Sequence, residues 1–206
     1  NKEGADNFGP SVGKVPLMIG VDGLPKNSLI IDVRDEVDFK ANHLPNSINI
    51  MARSETDKFE TWLGSIVNPE ETFYVVINKV DDRETILNRI AKIGYEKQIE
   101  AVVTLAEKSF ETSAAFDLEK FKQNKQDYTI IDIRNKSEIT DGKLFENAIA
   151  IPLNKLRIHK DEIPKDKPIV VHCAGGYRSA AGSSLVSSLV DRVPVFDLSE
   201  DVKSFI

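Results

Sequence analysis

Sulfur is scarce in this 206-residue chain, which has one cysteine and two methionines. A lone thiol excludes an internal disulfide and fits a reducing, cytoplasmic setting. The three histidines, His43, His159 and His172, are dispersed, which argues against a Cys/His zinc cluster as well. Basic residues are in deficit, 27 against 33 acidic ones, for a net charge of −6. They are also scattered, which argues against a nucleic-acid or anionic-membrane surface. No apolar run approaches the roughly 18 residues of a membrane span, and no signal peptide is evident. The first residue is Asn1 rather than Met, which sets the expectation of a piece of a longer polypeptide. The remainder is ordinary: 41% hydrophobic and 29% charged residues, enough for one large domain or two of about 100 residues.

The chain repeats itself. "IIDVRDEVDFKANHLPNSINI" from Ile30 matches "IIDIRNKSEITDGKLFENAIAI" from Ile130, at an offset of 100 that becomes 101 after a one-residue insertion. "FYVVINKVDDRETILNRIAKIGYEK" from Phe73 matches "PIVVHCAGGYRSAAGSSLVSSLVDR" from Pro168, at an offset of 95. Matches in the same order across both halves point to duplication. Continuous Val/Ile runs such as "YTIIDI" and "KPIVVHC" read as buried strands of parallel sheets, and "RSAAGSSLVSSLV" as a helix. "DLEKFKQNKQ" reads as a covering helix with Leu118 and Phe121 on one face. The opening 27 residues, rich in Gly, Asn, Asp and Pro, read as an irregular lead-in. The expected class is α/β with two similar domains, 1–110 and 111–206, divided near "AEKSFETSAA".

The sole cysteine lies in "VHCAGGYRSA". A buried strand ends at Cys173 and a helix begins near Arg178, so the chain must turn tightly between them. Gly175 and Gly176 permit positive φ and leave backbone N–H groups uncovered. Such a nest beside a helix N-terminus stabilises negative charge at the sulfur. The C-terminal edge of a parallel sheet is also where α/β folds place their sites. His172 neighbours the thiol, but adjacent strand residues face opposite ways, so it is read as structural. Tyr177 reads equally as the pocket rim or as an exposed loop aromatic.

Cys173 and Arg178 are spaced C-x4-R, one residue shorter than the C-x5-R loop of cysteine phosphatases. "CAGGYRS" resembles the active-site loop of rhodanese sulfurtransferases, C-x-x-G-x-R followed by Ser or Thr. "IIDIR" is similar to that family's Asp-Val-Arg strand end, and "ANHLPNSINI" to its "GHIPGAINI" segment. The resemblance implies two rhodanese-like domains, each a mainly parallel sheet flanked by helices. It also implies that Cys173 becomes a persulfide by attacking a sulfane sulfur, and that a thiol or other acceptor then removes the outer sulfur. Ala174, Gly175, Gly176 and Tyr177 would supply amides to that sulfur, Arg178 would close the loop, and Ser179 would hydrogen-bond the cysteine sulfur. Asp132 and Arg134 would support the strand ends. No metal or organic cofactor is implied, only the covalent persulfide.

At an offset of 95, Cys173 maps to Asn78 and Arg178 to Arg83, giving "NKVDDR" with neither thiol nor glycine. Asp81 and Asp82 would repel an anion, so the first half is expected to be catalytically silent. "NKEG", this altered loop and "RIAKIGYEK" further resemble bacterial fusions in which a metallo-β-lactamase-type persulfide dioxygenase precedes two rhodanese domains. By that resemblance, an upstream domain of the same polypeptide would be a partner. The neutral "AGGY" lacks the extra positive charge of loops that favour thiosulfate, so a low-molecular-weight persulfide is the expected donor. Two other classes stay open: a sulfur carrier that serves only a partner protein, and a cysteine phosphatase or arsenate reductase.

Overall fold

The computed structural model describes residues 12–105 and 110–206. The "NKEG" opening and part of the interval between the halves, residues 106–109, lie outside the described residues. The first half carries strands β1 (Leu17–Ile19), β2 (Leu29–Asp32), β3 (Ile48–Asn49), β4 (Phe73–Ile77) and β5 (Ile99–Thr104). They form one parallel sheet in the order β1-β5-β4-β2-β3. The second half carries β6 (Thr129–Asp132), β7 (Ile149–Ala150), β8 (Ile169–His172) and β9 (Val195–Asp197), parallel in the order β7-β6-β8-β9. Burial explains the Val/Ile runs: Ile31, Val75, Val102, Ile131, Val170 and Val171 have no solvent exposure, as expected for strands covered on both faces.

Helices α1 (Glu36–Ala41), α2 (Phe59–Ile66) and α3 (Arg83–Ala91) belong to the first half. The second half has α4 (Leu118–Gln123), α5 (Lys136–Thr140) and α6 (Tyr177–Leu189). Asp117 caps α4 by accepting from the Lys120 amide, and Phe121 is buried among Phe116, Tyr128, Phe145 and Phe205. No helix among the described residues is long and apolar enough to cross a membrane.

One expectation needs correcting. The lead-in is not wholly irregular, because Leu17–Ile19 forms the edge strand β1 alongside β5. Three residues flanked by Gly and Pro are too few to show a period, and β5 supplies the order. At the other end of the first half, the chain beyond Phe110 stays on that half's surface. His43 and Glu111 exchange backbone hydrogen bonds, and the Ser113 amide donates to the Lys40 carbonyl.

The register of the sheets defines the repeat more sharply than the sequence does. Asp32 pairs with Val76, and Asp132 pairs with His172. The Val33 amide donates to the Val76 carbonyl, as the Ile133 amide does to His172. The cysteine-bearing strand is therefore offset by 96, and the first-half counterpart of Cys173 is the buried Ile77 rather than Asn78. The sequence match placed the shift wrongly because the first-half loop is one residue longer before its arginine.

The two halves share an apolar core. Ile31, Ile48, Phe59 and Leu87 join Ile131, Cys173, Ala181 and Leu185 in one buried cluster. Helix α6 lies at this junction, and its small residues set how closely it packs. A Cβ on Gly182 would meet Ile133 Cδ1 at 2.4 Å and Val171 Cγ1 at 3.2 Å. Gly182→Ala is expected to push α6 off β6 and β8 at a cost of about 1–3 kcal/mol. Thermal denaturation should show this as a Tm lowered by about 2–4 °C per kcal/mol.

Candidate active site

Strand β8 delivers Cys173 to the C-terminal edge of the second sheet, where it is 2% exposed. The turn that follows depends on Gly176 at φ +98°, a conformation that disfavours any side chain. A Cβ there would also lie 2.8 Å from the Glu200 amide nitrogen and from the Ser199 carbonyl carbon. The turn brings the Gly176 N–H to the sulfur, donating to Cys173 Sγ at 3.2 Å. Gly175 is not at positive φ, so only one of the two glycines is demanded by backbone geometry.

Ser179 departs from expectation. Its Oγ donates to the Gly176 carbonyl at 2.7 Å rather than to the sulfur, because a hydroxyl in the first helical turn reaches back to the preceding turn. It thus braces the loop from behind. Asp132 and Arg134 lie buried beside the loop and act on backbone. Arg134 Nε contacts both Asp132 oxygens at 3.0 Å, and its Nη2 donates to the Gly142 carbonyl at 2.9 Å. Arg34 repeats the pattern with Asp32 and the Asn42 carbonyl. This pair therefore ties the chain after the strand to the end of the following helix in both halves.

His172 faces away from the site. Its ring packs edge-on against Phe145 with centroids 5.0 Å apart, and its Nδ1 lies 3.3 Å from the Cys173 carbonyl oxygen. Burial lowers its pKa, which favours the neutral imidazole. Among the described residues, no group of three His, Cys, Asp or Glu is placed to hold a metal ion.

Arg178 has a partner that sequence reasoning missed. Its Nη1 and Nη2 donate to the Glu138 carboxylate at 2.7 and 2.6 Å. Its guanidinium carbon stands 5.5 Å from the centroid of the Trp62 ring of the first half. The Glu138 carboxyl is held down to about 2, chiefly by the Arg178 hydrogen bonds. Tyr177 is also claimed by the first half: its hydroxyl donates to the Met51 carbonyl, and Arg53 lies over its ring at 5.7 Å. Burial pushes the phenol pKa up, so the donor stays protonated. Tyr177 thus forms part of the site wall and is anchored across the junction.

These groups enclose a cavity of about 550 Å³ with Cys173, Gly175, Tyr177 and Arg178 on one side and Arg53, Lys58 and Trp62 on the other. Two signals were available in the sequence: Glu138 lies in the repeated segment opposite Asp38, and Trp62 is the chain's only tryptophan. At the corresponding first-half loop, exposed Asn78 donates to Asp38 at 3.2 Å, Val80–Asp82 forms a 3-10 turn, and Arg83 donates to the Val15 carbonyl. With Ile77 in the place of Cys173, this loop holds no thiol.

The model of the rhodanese-like domain matches residues 21–105 and again 117–205. A curated sulfurtransferase from Allochromatium vinosum is 37% identical over 54 residues, which is 26% of this chain and 50% of that protein. The match thus spans only half the length of this relative. A thiosulfate sulfurtransferase structure from Pseudomonas aeruginosa aligns at 15% identity and TM-score 0.38, covering 94% of this chain and 40% of that one. The Escherichia coli SseA structure, described as a 3-mercaptopyruvate sulfotransferase, aligns at 12% identity and TM-score 0.34, covering 85% and 93%. Scores this low add nothing to the fold assignment, which rests on the two family matches and the duplicated sheets.

Two outcomes follow from the geometry. Glu138→Gln should cost about 1 kcal/mol at neutral pH, a modest figure because the pair is partly solvated. The wild-type carboxyl titrates lower when folded than when unfolded, so its contribution is full above the ordinary carboxylate range. It is lost as pH falls toward about 2, and urea titrations of the two proteins should converge over that interval. Tyr177→Phe keeps the ring but strands the Met51 carbonyl, and should lower unfolding free energy by about 1–2 kcal/mol in the same assay. With the repeated Asp–Arg ties and the duplicated parallel sheets already described, the two family matches establish that this chain belongs to the rhodanese-like domain family as a tandem pair.

Proposed function

We infer that this protein is a sulfurtransferase that carries sulfane sulfur on Cys173. The observation behind this reading is the Gly176 N–H directed at Cys173 Sγ on the floor of a cavity closed by Arg178. The thiolate attacks the outer sulfur of a donor persulfide, R–S–SH. The new S–S bond forms as the donor's own S–S bond breaks, and R–S⁻ leaves and takes a proton from solvent. The persulfide sulfur anion is stabilised by the loop amides of Ala174 through Tyr177. An acceptor thiolate then attacks that sulfur and returns Cys173 to the thiolate. The exchange involves no net oxidation and no cofactor.

The donor is a low-molecular-weight thiol persulfide in preference to thiosulfate. No basic residue lies between Cys173 and Arg178, and Arg178 is already paired with Glu138. A compact dianion would bring two charges onto a floor with little free positive charge. The likeness of "NKEG" and "RIAKIGYEK" to persulfide dioxygenase fusions supports a metallo-β-lactamase-fold domain as an upstream partner in the same polypeptide.

Intact mass spectrometry after treatment with a sulfane donor should show a gain of one sulfur, localised to Cys173 and discharged by added thiol. Cys173→Ser should lose this gain and transfer activity together; full activity in that variant would overturn the reading. Turnover with small-molecule acceptors alone separates an enzyme from a dedicated carrier. The kcat/KM for an organic persulfide should exceed that for thiosulfate, and a tenfold preference for thiosulfate would refute the assigned donor.

A further inference from the structure

The cysteine-less half lines the same cavity, and its contribution differs in charge from the loop floor. Arg53 and Lys58 stand on this wall with Asp57 as the local acid, and Arg178 faces them paired to Glu138. Arg53 is bonded to Asp57 through Nε and Nη2, both at 3.2 Å, and its Nη1 reaches Asp35 at 3.4 Å, while its side chain remains 43% exposed. The exposed Lys58 ammonium makes no ion pair or side-chain hydrogen bond among the described residues. After pairing, the cavity therefore keeps one unmatched cation, opposite a neutral loop. Trp62 adds a flat apolar face, and its indole N–H has no acceptor among the described residues. A cavity of about 550 Å³ falls in the size range of organic-ligand sites.

We propose that the first half supplies a recognition subsite for the carrier portion of the sulfur donor, and that this portion is an organic thiol with a carboxylate remote from its sulfur. The inference rests on the sulfurtransferase reading and names its substrate class. The persulfide end lies on the neutral floor at Cys173, the stem lies along Trp62, and the carboxylate reaches Lys58, with Arg53, held by Asp57 and Asp35, beside it. A charge-assisted contact of this kind discriminates by about tenfold. Thiosulfate cannot use the arrangement, because its negative oxygens are bonded directly to the sulfur that carries the sulfane atom.

The test compares glutathione persulfide with the neutral 2-hydroxyethyl persulfide as donors, in wild type, Lys58→Ala and Lys58→Glu. Lys58 has no side-chain partner to lose, so these variants should fold. Arg53→Gln provides a second probe of the same wall. Wild type should favour the carboxylated donor in kcat/KM. That preference should fall about tenfold in Lys58→Ala and further in Lys58→Glu, with KM carrying the change. Added salt should weaken it in wild type. An equal kcat/KM for the two donors in wild type, or an unchanged preference in Lys58→Glu, would overturn the subsite while Cys173 still gains sulfur by mass. Failure of Cys173 to gain sulfur from either donor would instead overturn the sulfurtransferase reading, and the subsite with it.

Discussion

Helix α6 starts at the cysteine loop and is enclosed by both halves of the molecule, so the rest of the structure depends on its packing. Eight consecutive residues, Ser179 to Val186, are buried, and most of them are Ala, Gly or Ser. This composition shows little amphipathic pattern because the helix has no wet face along that stretch. One side meets β6 and β8 at Gly182. On the other side, Ser184 Oγ accepts a hydrogen bond from the Asn49 amide of β3 at 2.9 Å. β3 is the edge strand of the first sheet, and an uncovered edge would leave its amides without partners. The second half thus covers the first half's edge with the helix whose N-terminus shapes the thiol site.

This arrangement gives the cysteine-less half a physical role that does not depend on chemistry. Its Met51 carbonyl holds Tyr177, its Trp62 covers Arg178, and its Glu36 carboxylate accepts from Ser199 at 2.9–3.0 Å. Ser199 is the residue whose backbone closes on Gly176. Lys40 of α1 also pairs with Asp197 at the end of β9, 2.9 Å away. The cradle around Cys173 is therefore braced from two directions by groups of a half that holds no thiol of its own. Once Ile77 fills that position and the following loop is longer, the first-half arginine no longer faces a thiol and bonds the Val15 carbonyl instead.

Much of this was legible in the sequence because it was carried by local rules. The Val/Ile strands, the glycine turn, the Asp–Arg ties at Asp132/Arg134 and the repeat itself all act over short separations or through periodicity. What stayed hidden depended on contacts between distant segments. Ser179 was misassigned because its acceptor is chosen by the helical turn rather than by its nearness to Cys173 in sequence. The strand β1 is too short to have its own signal and exists because β5 offers a free edge. The one-residue error at Asn78 arose from aligning loops across a length change, which only hydrogen-bond register resolves. The partners Glu138, Trp62 and Met51 are 40, 116 and 126 positions from the loop residues they meet, so no spacing argument could find them.

The charge layout of the cavity follows from the same division of labour. A cationic loop would hold a persulfide anion more strongly, but it would also hold any small dianion and slow the release of sulfur to an acceptor. Pairing Arg178 with Glu138 offsets much of the guanidinium's charge, and the backbone donor seen at the sulfur is the Gly176 N–H. Positive charge intended for substrate recognition is better placed at a distance, where it distinguishes carriers without changing the leaving group. Only the opposite wall offers that distance, and that wall belongs to the first half. Under the subsite proposed above, separating the two functions between two copies of one fold would let selectivity change at Lys58 while the geometry around Cys173 stays constant.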